Sequence, residues 1–306
     1  MSVILFGATG DLGSRVAKHL HHLGAEVRCV VRKGSTARAQ ALLQSVSAHI
    51  TEVDDLNSKS LEDACRGGSV VISTVSGLEP VVMDFQTRLI QAAVAAGVPR
   101  FIPSDFAVDY RKVPLGDNRN LNLLEQFRQT ADGVAGIQVT SILNGAFMDM
   151  LTGVAPFILY PMNRILCWGN RNQKMDWTTI DDTAKYTAYA SLDPTTPRYL
   201  YIAGDELSAN DLARTMTELT HKKYKVFQPG GLGMFKGMIG MTKFFTPGAG
   251  KKYPPWQGMQ YMHSMYSGQC KFERLDNQRY PMKFTDAKTY LKEFLAGKIP
   301  KYQLKG

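Results

Sequence analysis

An apolar run, SVILF at positions 2–6, leads directly into Phe6-Gly7-Ala8-Thr9-Gly10-Asp11-Leu12-Gly13 and then into an amphipathic stretch. Three glycines at this spacing, between a strand and a helix, restrict what the chain can build. The first two let the backbone turn tightly and approach a pyrophosphate. The third lets the helix pack closely on the sheet, and the helix N-terminus attracts anionic phosphates. The context predicts a dinucleotide-binding loop through Gly7, Thr9, Gly10, Asp11, Leu12 and Gly13. The alternative is a tight turn that binds nothing.

The pattern that follows supports the first reading. Short Val- and Ile-rich runs at 2–6, 26–31, 49–53, 70–75, 100–103 and 138–143 alternate with helical spacing at 11–23, 35–47, 58–65, 80–96 and 118–130. Fully apolar strands in a β-α-β-α rhythm imply a parallel sheet covered on both faces. The expected fold class is α/β, a doubly wound parallel sheet whose ligands sit at the carboxyl ends of its strands. The rhythm breaks near residue 150. Residues 178–192 read as a strand end and a helix capped by Asp181 or Asp182, 199–203 as a strand, and 208–219 as a helix capped by Ser208. The expected division is a nucleotide-binding domain over 1–150 and a smaller α+β region over 151–306, with parts of about 176–220 returning to the first sheet.

Cofactor choice rests on the end of the second strand. An NAD site wants an acid there for the ribose 2′-hydroxyl. The strand ends Val30-Val31-Arg32-Lys33-Gly34-Ser35 instead. Arg32 and Lys33, followed by Ser35, suit a 2′-phosphate, so NADPH/NADP+ is favoured. Asp54 and Asp55, after the third strand, are placed to flank the adenine. Thr74, Val75 and Ser76, ending the fourth, run past the pyrophosphate and ribose.

Charge is distributed unevenly. The chain carries 36 Lys+Arg against 27 Asp+Glu, a net +9. Residues 221–306 hold 16 against 4, so +12, together with 15 of the 30 aromatic residues. Their lysines are spaced among apolar residues without a recognised binding motif, which argues against nucleic acid. Met234, Met238, Met241, Met259, Met262 and Met265 recur at helical spacing. Three readings fit: ordinary core, a cover over a hydrophobic substrate, and an interfacial helix at a membrane. No apolar run approaches the ~20 residues of a bilayer span. The strand at position 2 leaves no room for a signal peptide, and the four scattered cysteines form no C-x-x-C pair. A cytoplasmic protein without disulfide scaffold or metal site is expected.

The segments GATGDLG, VRKGS, ISTVSG, AAVAAGVPRFIPSDF and GIQVTSILNGAF, then TTIDDTAKYTAYASL and RYLYIAGDELSANDLA, resemble the NmrA-like, isoflavone-reductase-like branch of atypical short-chain dehydrogenases/reductases. The resemblance covers roughly residues 1–220. It implies an NADPH-binding Rossmann fold with a smaller C-terminal substrate region. Some members of this branch reduce aromatic phenylpropanoid-type substrates, quinones or aldehydes; others sense the nucleotide as redox regulators without known turnover. By match to the family motifs, Pro103, Ser104, Asp105 and Phe106 stand near the nicotinamide. Asn144, Gly145 and Phe147 line nicotinamide and substrate.

Two departures from the family bear on catalysis. No Tyr-x-x-x-Lys occurs, and the helix 117–130 (DNRNLNLLEQFRQT) lacks the lysine that reductase members place there; Asn120 or Asn122 is the nearest polar residue. Tyr110 and Lys112, beside Arg111 just before this helix, are the expected replacements, with Asp105 and His263 as further candidates. The substrate pocket is expected to include Phe106, Met148, Met238, Trp256, Met259 and His263. The expected function is NADPH-dependent reduction of an apolar, aromatic or conjugated carbonyl or alkene substrate, by a monomer or homodimer. The alternative is an NADPH-sensing regulator without turnover.

Overall fold

A computed structural model describes residues 1–53, 58–248 and 250–303. The first half builds β1 (Ser2–Phe6), α1 (Asp11–His22), β2 (Glu26–Arg32), α2 (Thr36–Leu42), β3 (Ala48–Val53), α3 (Ser58–Cys65), β4 (Val70–Ser73), α4 (Gln86–Ala95), β5 (Arg100–Ile102), α5 (Arg119–Asp132), β6 (Gln138–Val139) and β7 (Ser141–Leu143). Among the described residues, six strands form one sheet in the order β3-β2-β1-β4-β5-β6, each pair parallel. This is the doubly wound arrangement, with the crevice where the order reverses between β1 and β4.

Strand alternation divides the core. Val3 and Leu5 of β1 pack with Val16 and Leu20 of α1 on one face. Ile4 and Phe6 pack with Leu61, Leu89 and Phe127 on the other. All are essentially inaccessible to water. Burying residues of this size stabilises by roughly 1.5–3 kcal/mol each.

The second half adds β8 (Ala146–Phe147), β9 (Ile158–Leu159), β10 (Arg164–Trp168), β11 (Met175–Thr178), α6 (Ile180–Leu192), β12 (Tyr199–Tyr201), β13 (Asp205–Leu207), α7 (Ala209–Thr220), β14 (Lys225–Gly230), α8 (Leu232–Phe245), α9 (Pro255–Tyr266) and α10 (Ala287–Leu295). Two small three-stranded sheets, β14-β10-β9 and β13-β11-β8, enclose a third apolar cluster around Trp177, Phe157 and Tyr266. Helix α6 packs against α1. Arg100, buried on β5, ties α6 down by donating to the carbonyls of Ala190 (2.9 Å) and Ser191 (2.7 Å) and to Thr196 Oγ1 (2.9 Å).

Three local expectations change. The strand 138–143 divides at Thr140: its N–H bonds Phe101 O, whereas Ser141 N–H bonds Arg198 O. The chain thus passes from pairing with β5 to parallel pairing with β12. The helix 80–96 opens with a π-turn, Pro80–Phe85. Helix α6 is capped by Thr179, whose hydroxyl accepts from Asp182 N, so Asp181 and Asp182 occupy its first turn. Ser208 caps α7 as expected, in a capping box with Asp211.

Candidate active site

The glycine loop and the strand end beside it interlock. Gly7 sits at φ +87°, and a Cβ there would stand 2.7 Å from the Thr74 carbonyl carbon and hydroxyl. A Cβ on Gly13 would overlap the Gly7 carbonyl and the Thr74 hydroxyl. Thr74 Oγ1 donates to Phe6 O across 2.8 Å, so Thr74 braces the loop. Gly10 precedes α1 in extended conformation and no side chain caps the helix. Its first N–H groups therefore face the crevice mouth without a side-chain acceptor, which fits an anionic ligand. Asp11 turns along the helix to pair with Arg15 at 2.9 Å, and Arg15 continues to Asp181 of α6.

At the adenosine end, Arg32 and Lys33 are exposed where β2 finishes, with Ser35 at the start of α2. Arg38, which sequence reading missed, reaches from α2 to the Thr9 carbonyl at 3.4 Å. Arg38 thus reaches the loop itself, while Arg32 and Lys33 stand exposed at the β2 end. Asp54 and Asp55 lie outside the described residues.

The far side of the crevice is joined by hydrogen bonds. Ser104 Oγ donates to Val75 O (2.6 Å), and its N–H donates to buried Gln86 Oε1 (2.8 Å). Pro103 is buried beside it. Asp105 is 2% exposed; its Oδ2 accepts from Tyr110 and Ser141, and burial pushes its carboxyl up to about 6. Asn144 and Gly145 make the turn from β7 to β8, both N–H groups donating to Ala107 O. Phe147 follows, half-buried. Ser73 Oγ, Asp105 Oδ1 and both polar atoms of the Asn144 side chain are buried without a hydrogen-bond partner among the described residues. These orphaned groups cluster at the carboxyl ends of β4, β5 and β7, where the topology puts a ligand.

Both expected proton donors, Tyr110 and Lys112, are engaged by carboxylates. Tyr110 is 1% exposed and donates a hydrogen bond to Asp105; burial and that carboxylate hold its phenol well above the usual range. Lys112 extends to Glu273 (2.7 Å) and the Lys271 carbonyl. Arg111 forks onto Asp109 and stacks on Tyr199. The short 3₁₀ turn over Tyr110–Lys112 sends Arg111 and Lys112 toward Tyr201 and Glu273, while the Tyr110 hydroxyl turns back to Asp105.

Other pocket candidates divide between interior and surface. Met148 is fully buried in the third cluster. Trp256 is buried too, donating to the carbonyls of Thr246 and Pro247. Phe106, Met259 and His263 are half-buried, and Met238 lies on the exposed face of α8. Burial lowers the His263 imidazole. Helix α9 docks on the start of α5: Gln257 donates to the Asn118 cap (2.8 Å), and Gln260 accepts from Arg119 N (3.1 Å). Just before α9, Lys252 donates to Ser76, just past the end of β4, and its ammonium lies over the Tyr253 ring. No motif marked these two residues, because their proximity to β4 arises from tertiary contacts alone.

With this geometry established, the family model described as "NmrA-like family" matches residues 1–243. The chain belongs to the NmrA-like family. Among curated relatives, this NmrA-like chain is 26% identical over 321 residues to bifunctional pinoresinol-lariciresinol reductase 2 of Thuja plicata, covering 96% of this chain and 98% of that one. It is 27% identical over 315 residues to phenylcoumaran benzylic ether reductase IRL1 of Ginkgo biloba, with the same coverages. Among solved structures, "AtPrR2 with NADP+ and (+)pinoresinol" superposes with a TM-score of 0.80 at 25% identity, over 96% of this chain and 98% of that one. No helix among the described residues is long and apolar enough to cross a membrane.

Proposed function

We infer that this NmrA-like chain is an NADPH-dependent reductase of apolar aromatic substrates. The observation that carries the reading is the joint geometry of the glycine loop and the β2 end. An uncapped helix start faces the crevice, and Arg32 and Lys33 stand where an NAD enzyme would place an acid. The named relatives, a pinoresinol-lariciresinol reductase and a phenylcoumaran benzylic ether reductase, support the same reading.

In this reading the cofactor supplies a hydride from its nicotinamide. The chain's residues bind and orient. Gly7–Gly13 and the first turn of α1 hold the pyrophosphate; Arg32 and Lys33, with Arg38 behind them, hold the 2′-phosphate. Ser104 and the Asn144–Phe147 turn line the nicotinamide end, while Phe106, Met259 and His263 flank the substrate. Tyr110 acts as a positioning residue, holding Asp105 against Ser141. The nucleotide-binding unit spans 1–150 and the substrate region 151–306, in a cytoplasmic monomer or homodimer.

The test is a fluorescence titration with NADPH and NADH, followed by a screen of enones, quinones, aromatic aldehydes and benzylic ethers for oxidation of bound NADPH. Preferential NADPH binding with turnover of an aromatic class is expected. Tight NADPH binding without turnover of any class would replace the enzyme with a nucleotide-sensing regulator.

A further inference from the structure

The Lys252–Tyr253 segment lies across the crevice at a position that the strand order defines. Adenosine is held at the end of β2, and the pyrophosphate meets α1 after β1. The next strand in the sheet is β4. A dinucleotide laid from β2 over β1 therefore presents its nicotinamide half to the end of β4. Ser76 is at that end, and the ammonium of Lys252 donates to its hydroxyl. The Tyr253 ring lies against the same ammonium, 4.9 Å from nitrogen to ring centroid. The segment just before α9 thus reaches the crevice beside β4.

Lys252 is an unusual cation for such a place. It is half-buried, and the only described oxygen that it bonds is a neutral hydroxyl. No ion pair forms to it among the described residues, and burial alone shifts its ammonium, downward. Elsewhere in the chain the partly buried cations Arg15, Lys271 and Arg128 each pair with a carboxylate, whereas neighbouring Arg119 is held by backbone carbonyls and the Trp256 ring. The backbone at Lys252 is held firmly, because Arg119 Nη2 donates to the carbonyls of Lys251 (3.1 Å) and Lys252 (2.8 Å). An ammonium fixed at a crevice edge without a carboxylate is an arrangement suited to an anionic ligand.

We propose that Lys252 clamps the nicotinamide-side phosphate of the bound dinucleotide, with Ser76 offering its hydroxyl to the adjoining ribose. The proposal rests on the NADPH reading and extends it to a part of the chain beyond the family match at residue 243. The C-terminal region then completes the cofactor site as well as covering the substrate.

Two ligands separate the proposal from the reading beneath it. NADPH carries both bridging phosphates, whereas adenosine 2′,5′-bisphosphate carries only the adenosine-side one and still engages Arg32 and Lys33. Titrate both into the full-length wild type and into Lys252→Met, Lys252→Gln and Lys252→Arg. The two neutral variants should weaken NADPH about tenfold or more, the order of a lost charge-assisted hydrogen bond. The bisphosphate should stay within about twofold, which also reports an intact fold, and Lys252→Arg should restore most of the NADPH affinity. Added salt should narrow the gap, because a partly exposed ion pair is screened. Unchanged NADPH affinity in both neutral variants, or equal loss of both ligands, overturns the clamp. A wild type that binds neither ligand overturns the NADPH reading itself, and the clamp with it.

Discussion

The hydroxyl of Tyr110 donates to Asp105 Oδ2 across 2.8 Å, inside a pocket that hides both side chains from water. Burial raises the carboxyl from its ordinary 3.8 to about 6. A carboxyl with a raised folded-state pKa binds more protons folded than unfolded between those two values. Its contribution to stability is therefore complete below about pH 4 and declines as pH rises through 6. Asp105→Asn cannot ionise. Its stability relative to wild type should climb across this window by up to about 3 kcal/mol, at 1.36 kcal/mol per pH unit. Melting curves from pH 4 to 7 check this; a pH-independent offset between the two proteins refutes it.

The same contact bears on catalysis. Tyr110→Phe should cost about 1–2 kcal/mol of stability, the order of a hydrogen bond to an ionisable partner, and leave kcat within about threefold. Lys112→Ala, which frees an exposed Glu273, should leave both nearly unchanged. A hundredfold fall in kcat at normal NADPH affinity would restore either residue to the chemistry.

Cofactor preference should follow the end of β2. Removing both charges with Arg32→Ala and Lys33→Ala is expected to weaken NADPH by about tenfold to a hundredfold and NADH by less than about twofold. Arg38→Ala should give a smaller loss in the same direction. Parallel titrations of the two nucleotides decide the point, and equal losses contradict the 2′-phosphate assignment.

Glycine substitutions should separate loop from surface. Gly13→Ala drives a methyl into the Gly7 carbonyl and the Thr74 hydroxyl, so nucleotide binding should collapse. Gly233→Ala on α8 meets nothing within 4 Å and should gain roughly 0.5–1 kcal/mol from helix propensity. Calorimetry of both variants with and without NADPH tests the pair.

Arg100 provides a stability test remote from the cofactor. Its guanidinium satisfies two carbonyls at the end of α6 and the Thr196 hydroxyl, in a site whose burial holds its pKa below the usual arginine range. Arg100→Met strands those groups and should cost about 3 kcal/mol. Urea midpoints should fall accordingly, while a shift of less than about 0.5 kcal/mol would show that solvent replaces the guanidinium.

The sequence displayed the sheet because its order is written locally: β1, β2, β4 and β5 centre on apolar runs between turn residues, and only the edge strand β3, AHITEV, mixes polar residues in. The glycine loop was equally plain, since Gly7 and Gly13 meet Thr74 through backbone geometry that few other residues permit. What escaped was long-range. Nothing near Asp105 says that Ser141, 36 residues on, will share its carboxylate, and nothing near Lys252 says that residue 76 lies beneath it. The methionine period was visible, yet it did not reveal which face packs inward: Met262 and Met265 are buried, whereas Met234 and Met241 on α8 are exposed. Thr179 was overlooked as a cap because two acids directly after it offered a stronger local signal.

The handover at Thr140 limits how this chain can drift in length. Side chains on a strand alternate sides, so one residue inserted between Val139 and Ser141 would invert everything downstream relative to the sheet. Ser141 would turn away from Asp105, and Ile142 and Leu143 would exchange faces. Loops elsewhere can absorb additions, but here both neighbouring strands are fixed by their own partners. A gap or extra codon at this joint should be far rarer among descendants of this gene than in the turns that flank α2 or α8.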